Sequence, residues 1–333
     1  MKNKSGRALS ICAAIGMLCL ILDSRCASLC GIRALWMCIR AVIPSLFPMF
    51  VLSGILTPAL LGQRHRWMGA AESLLGLPKG GGGLFLLGLM GGFPVGAQCI
   101  AQAVEQGALS RKNGARMLGF CNNCSPAFLF GILSSLFQRR SIPMLIFLIQ
   151  LESAMIAARI WCCPGERTAA VSVSEVSVTQ AVNRGIRSIA SVCAWVILGG
   201  VFTGFLERWL FPMLPFPLPQ IITGCLELTG GVLRLGEVEN ESLRLILCCG
   251  FVCFGGISVW LQIQSVAAES GLSAGICVRQ KCLQGLTGMV LGTLVTMFGP
   301  AVLLIPPMIL MFWKKAVEIP SDTMYNSLSK GGF

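Results

Sequence analysis

The chain has 333 residues, of which 55% are hydrophobic and 12% charged, with a mean hydropathy of +0.77; that excludes an ordinary water-soluble domain and reads as a polytopic all-α membrane protein. The formal net charge of +12 falls mostly between the apolar runs, where basic residues meet anionic headgroups, so nucleic-acid binding is a poor explanation for it. The only histidine is His65, so no histidine-based metal site or catalytic triad can be assembled, and without an HExxH helix the chain does not read as an enzyme.

Crossing a bilayer takes roughly 20 apolar residues. Runs free of Asp, Glu, Lys and Arg cover 8–22, 41–63, 80–104, 117–138, 188–206, 209–226, 245–268 and 282–313, and 141–163 is apolar apart from Glu152 and Arg159. The expected architecture is about eight to ten membrane segments, some of them broken or re-entrant.

In chain order, 8–22 reads as an uncleaved first helix behind Lys2, Lys4 and Arg7. Arg33 and Arg40 lead into IPSLFPMF at 43–50, whose two prolines predict a broken or kinked helix. The glycine run 80–83 predicts a flexible lead-in to GGFPVGA at 91–97, and CNNCSP follows at 121–126. Proline lacks its N–H and paired glycines loosen the turn, so both motifs predict helices that open within the membrane. Such openings survive only against protein or a water-filled cavity, and pairs of them point to a transporter's binding site. Glu152 is either a bundle-facing polar contact or a residue near the boundary. Residues 164–187 form the longest hydrophilic linker and divide the chain into halves.

The second half opens with 188–206 and FPMLPFPLP at 211–219, too proline-rich for a regular helix. Residues 220–233, containing Glu227, predict a re-entrant or half-helix; 245–268 predicts one span; Arg279 and Lys281 predict a basic hairpin. Residues 282–313 are either one tilted span or a span plus a turn at Gly299 and Pro300. Most of the 17 cysteines lie in apolar runs and read as small hydrophobes. Cys121 and Cys124 have redox-motif spacing but lack the strand–helix context that would make it informative.

The halves share a weak internal repeat. A shift of 164 residues takes Gly91 and Gly92 onto Gly255 and Gly256, Gln98 onto Gln262, Glu105 onto Glu269 and Gly107 onto Gly271. Ser53-Gly54 matches Thr203-Gly204 at a shift of 150, and AESLLG at 71–76 faces LELTGG at 226–231 at 155. The implied division is an N-terminal helix and loop (1–33), a first repeat with an extra helix (34–163), the linker (164–187), a second repeat (188–313) and a polar tail (314–333). Secondary transporters bind substrate where such repeats meet.

IPSLFPMF, GGFPVGA and NNCSP followed by AFLFG together resemble the sporulation integral membrane proteins of the YlbJ type, within the nucleoside-recognition or Gate domain superfamily. The resemblance implies Gate-like repeats, a solute carrier and movement of dipicolinic acid across the outer forespore membrane, in a multi-pass cell-membrane protein whose partners are the bilayer and its solute. One departure is that Asn122 is followed by Asn123 and Cys124, where family members commonly carry threonine, serine or glycine.

A doubly charged flat anion needs donors and positive potential. Gly92, Gly96 and the turn at Ser125 are expected to expose half-helix N–H groups. Gln98, Asn122, Asn123, Gln262 and Gln264 are candidate cavity-lining groups. Arg40 is a candidate fixed charge, either forked onto a carboxylate or snorkelling to headgroups. Glu227 either carries a coupling proton or holds a half-helix end. Glu105 and Glu269 sit beside turns as candidate helix-end contacts. No cofactor and no metal site is expected. A nucleoside or other small-solute carrier and a non-transporting sporulation-membrane scaffold are the alternatives.

Overall fold

The computed structural model describes residues 2–62, 66–161 and 176–307. Among them it contains helices and turns and no strand. Among the described residues, five helical stretches are long and apolar enough to cross a membrane: Ser24–Leu61, Ser141–Trp161, Val178–Met213, Glu241–Ala268 and Gly275–Phe298. Their outward faces carry exposed Leu52, Leu198, Phe202, Leu286 and Val290, while glutamines, asparagines and a lysine are buried, the distribution expected when the surrounding solvent is hydrocarbon.

Helices α1 (Lys2–Leu22) and α2 (Ser24–Met37) join at Asp23, which accepts from Cys26 N at 3.1 Å and pairs with Arg208 at 2.7 Å. A π turn at Cys38–Val42 feeds α3 (Ile43–Gly62). Of the expected break or kink, the break is absent here: the chain stays helical through one π turn. The widened turn lies where the ring of Pro44 would otherwise strike the carbonyl four residues back, and Pro48 is accommodated inside α3.

After α4 (Arg66–Leu75), Glu72 accepts from Gly80 N at 2.7 Å and Gly82 N at 3.3 Å, fixing the start of α5 (Gly81–Gly91). The glycine run is thus a buried helical turn and not a flexible lead-in. A Cβ at Gly83 would lie 2.6 Å from Met68 Cε, so its smallness serves close packing. The chain then forms α6 (Val95–Glu105), α7 (Arg111–Met117), α8 (Pro126–Leu136) and α9 (Ser141–Trp161).

Helix α10 (Val178–Trp209) begins inside the stretch read as linker, where Ser177 and Gln180 form a capping box. Where a re-entrant or half-helix is expected, two short helices follow, α11 (Leu218–Leu226) and α12 (Leu228–Arg234), packed on each other. The expected span at 245–268 falls within the apolar stretch Glu241–Ala268 but is built of two helices, α13 (Glu241–Phe254) and α14 (Ile257–Ala268), parted at Gly255 and Gly256 with φ 85° and 86°. The expected basic hairpin is also replaced, because Arg279 and Lys281 lie inside α15 (Gly275–Phe298), which ends at Gly299 and Pro300. His65 and residues 314–333 lie outside the described residues.

Helix α10 packs on α2, α3 and α14; α6 packs on α3, α5 and α14; and α15 packs on α9 and α13. One apolar core gathers Phe50, Leu84, Ile100, Met117, Phe120 and Ile263, and a second gathers Leu129, Ile146, Val232, Val252 and Leu291. Helices α6 and α14 end in similar turns. Gly107 (φ 72°) donates to Val104 O and Leu109 to Ala103 O, while Gly271 (φ 67°) donates to Ala268 O and Leu272 to Ala267 O.

Candidate functional site

Three helix openings converge in the interior. The first separates α5 from α6 at Gly92, whose φ of 80° favours glycine. The second separates α7 from α8 over 118–125, and its backbone lies against the first: a Cβ at Gly88 or Gly96 would come within 1.8 or 2.1 Å of Cys121 O. At Gly92 a Cβ would meet Ser125 Cβ at 2.9 Å. The third, at Gly255, packs on the Phe93 ring, 3.0 Å from where a Cβ would stand.

Side chains from other segments satisfy much of the backbone these openings expose, as burial requires. Asn122 Oδ1 accepts from Ala97 N at 2.9 Å in the first turn of α6, and its Nδ2 donates to Leu118 O at 2.6 Å. The Gln150 amide clamps Cys124, accepting from its N at 2.9 Å and donating to its O at 3.1 Å. Gln280 accepts from Gly119 N at 3.0 Å and donates to Arg116 O at 2.6 Å, while Gln284 donates to Gly119 O at 3.2 Å.

At the meeting point stands Lys281, only 2% exposed. Its Nζ donates to Asn122 O and, at 3.0 Å, to Gln284 Oε1; it lies 3.5 Å from Asn123 Oδ1 and 5.0 Å from the centre of the Phe93 ring. These partners are neutral oxygens and a π face, and no carboxylate is among them. The Lys281 amine therefore sits where GGFPVGA and CNNCSP touch, held by the second half of the chain. Such burial is costly unless something offsets the charge.

The sequence candidates divide. Gly92, Gly96, Asn122, Asn123 and Ser125 come together around this point. The half-helix N–H groups expected to be free are partly occupied, by Asn122 at Ala97 N and by Ser125 Oγ at Phe128 N, 3.2 Å away, because a short polar side chain is the nearest acceptor for them. Gln98 lies on a different face of α6 and donates to Phe50 O at 2.8 Å. Gln262 is buried and donates to Ser258 Oγ at 3.4 Å, whereas Gln264 is exposed. Arg40 is exposed and stacks 4.9 Å over Trp36, so the structure does not bring it to the cluster. Glu227 caps α12, accepting from Thr229 N at 2.8 Å and Gly230 N at 2.5 Å. It also lines a groove of about 330 Å³ with Trp195, Phe202, Thr203 and Ser258. Glu105 pairs with Arg184 at 2.8 Å and accepts from Ser270 Oγ, and Glu269 is exposed. Glu152 lies mid-way along α9, buried, with Oε2 lacking a hydrogen-bond partner.

Lys281 is the residue that sequence reading misses. Its signal was the spacing of Gln280, Lys281 and Gln284, two of them four residues apart and so on one side of a helix otherwise rich in glycine.

No family model matches the chain, and no solved structure matches it. A curated protein from Bacillus subtilis (strain 168), the sporulation integral membrane protein YlbJ, is 23% identical over 308 residues, covering 78% of this chain and 74% of that protein. The chain is thus a multi-pass α-helical membrane protein, distantly similar over most of its length to an integral membrane protein of sporulation.

Proposed function

We propose that this protein carries a small organic anion across the membrane by alternating access between two structural repeats. The observation that supports this most is Lys281, an ammonium buried at the convergence of three opened helices with only neutral partners. A scaffold that merely packs gains nothing from that cost, whereas a passing carboxylate would supply the missing charge. The similar glycine turns closing α6 and α14 support a duplicated fold. The similarity to a sporulation membrane protein supports a role in spore formation; the solute we propose, on the family resemblance of the motifs, is dipicolinate, and the place of action the outer forespore membrane.

The test is uptake of labelled dipicolinate into liposomes holding the purified protein, with uridine as comparison and Lys281→Met as the variant. Methionine keeps the volume and drops the charge, a change buried sites commonly tolerate. The expected result is saturable dipicolinate uptake that falls at least about tenfold, equivalent to about 1.4 kcal/mol, in a variant that melts like the parent. Uptake of uridine alone would move the assignment to nucleosides. A folded protein that admits neither solute under a proton or sodium gradient is a scaffold.

A further inference from the structure

Helices α3 and α6 press polar groups against each other in a buried interface. On α3, Phe50, Ser53, Gly54 and Thr57 recur at helical spacing and share a face; on α6, Gln98 and Gln102 stand one turn apart. Ser53 and Thr57 are 4% and 0% exposed, and both glutamines are 1% exposed. Gln98 Nε2 donates to Phe50 O and Gln102 Nε2 to Gly54 O, each at 2.8 Å. A carbonyl only accepts, so neither amide can be turned over. Each Oε1 is therefore fixed away from α3's carbonyl, and neither has a hydrogen-bond partner.

Orphaned buried acceptors are rare enough to require a cause, and two of them lie in register. Ser53 Oγ donates to Phe50 O at 3.2 Å and Thr57 Oγ1 to Ser53 O at 2.8 Å, which directs their protons to backbone, and both hydroxyls lie against the buried Cys99 thiol, leaving each oxygen one further lone pair. The nearby cation Arg184 is already paired with Glu105. A set of neutral oxygens without a carboxylate suits a small, hard, monovalent cation and not calcium.

We propose that Gln98 Oε1 and Gln102 Oε1, with the hydroxyls of Ser53 and Thr57, hold a sodium ion between α3 and α6. Its role as the coupling ion rests on the carrier reading; its existence does not. The link runs through α6, whose first turn is capped by Asn122, the residue whose carbonyl receives Lys281. Sodium on one face of α6 would thereby steady the opening that holds the anion's charge partner.

The test uses the purified full-length protein in detergent, with thermal melts in choline chloride against added sodium or potassium, and equilibrium binding of radioactive sodium. The expected result is a saturable sodium-specific rise in melting temperature and one bound ion. Both should vanish in Q98M/Q102M, and sodium affinity should weaken about tenfold, equivalent to about 1.4 kcal/mol, in Ser53→Ala, which keeps both amides. A wild-type protein that melts alike in sodium and choline and binds no sodium overturns the site, and an ordered water then satisfies both oxygens. Sodium binding without dipicolinate uptake upholds the site while sinking the carrier; sodium-independent dipicolinate uptake without sodium binding does the reverse.

Discussion

Two helix pairs with matching sequence features meet their neighbours differently. Gln98 and Gln262 stand at the same offset from a Gly-Gly opening and a Glu-x-Gly turn. In the first pair, Gln98 and Gln102 reach across to α3 carbonyls and close the interface. In the second, Gln262 turns to Ser258 on its own helix, and the α10–α14 contact is held in part by Trp195 Nε1 donating to Ser265 Oγ at 2.6 Å. Beside it opens the groove lined by Gly199, Phe202, Thr203 and Ser258. The other face of α6 is also pinned, by Cys121 O against Gly96, whereas α14 carries Trp260 at the corresponding offset. A shared pattern thus fixes where helices open, while the side chains across the interface fix which pair can part. If the protein alternates between two states, α10 and α14 are the pair free to move.

Substitutions that attack the closed pair should therefore cost far more than those in the open one. Gly96→Ala puts a Cβ 2.1 Å from Cys121 O and should cost about 3 kcal/mol or more, read as a lower melting temperature in detergent. Gln102→Leu strips the donor from Gly54 O and should cost about 1–3 kcal/mol, with the loss largest in sodium if the ion sits there. Trp195→Phe removes a single bond across the open pair and should cost about 1 kcal/mol by the same melts. Gln262→Leu should fall below that, since its amide makes only a long bond within α14. Gly199→Ala meets nothing nearer than Ser258 Oγ at 3.7 Å and should change stability by less than about 0.5 kcal/mol. Equal losses at Gln102 and Gln262 would erase the distinction between the two pairs.

Glycine and proline made two of the three openings legible. GGFPVGA and CNNCSP announce themselves because no regular helix accommodates their residues. The third, at Gly255 and Gly256, hides in a run without charge, which by hydropathy alone reads as one span. Prolines at 44 and 48 leave a break and a kink both open, and the structure removes the break, because a π turn absorbs the first and α3 continues. Lys281 was obscured by the convention that a charge ends a membrane run, a rule that fails where interior oxygens and an aromatic face receive the ammonium. Glu227 reads from its segment as either a proton carrier or the holder of a half-helix end, and the backbone N–H groups opening α12 engage it in the second way.

By itself the sequence determined the solvent and the alphabet of the fold: apolar runs long enough for a bilayer, helices as the only open-ended element that satisfies its own backbone there, and two places where that pattern had to fail. Only the tertiary structure decided which polar groups face one another. Lys281 lies 159 residues from Asn122 and Gln280 lies 161 from Gly119, so no local spacing encodes their meeting. What sets it is packing: glycines at 88, 96 and 119 let backbone and amide groups approach within contact, and only a partner at that distance can satisfy the buried groups.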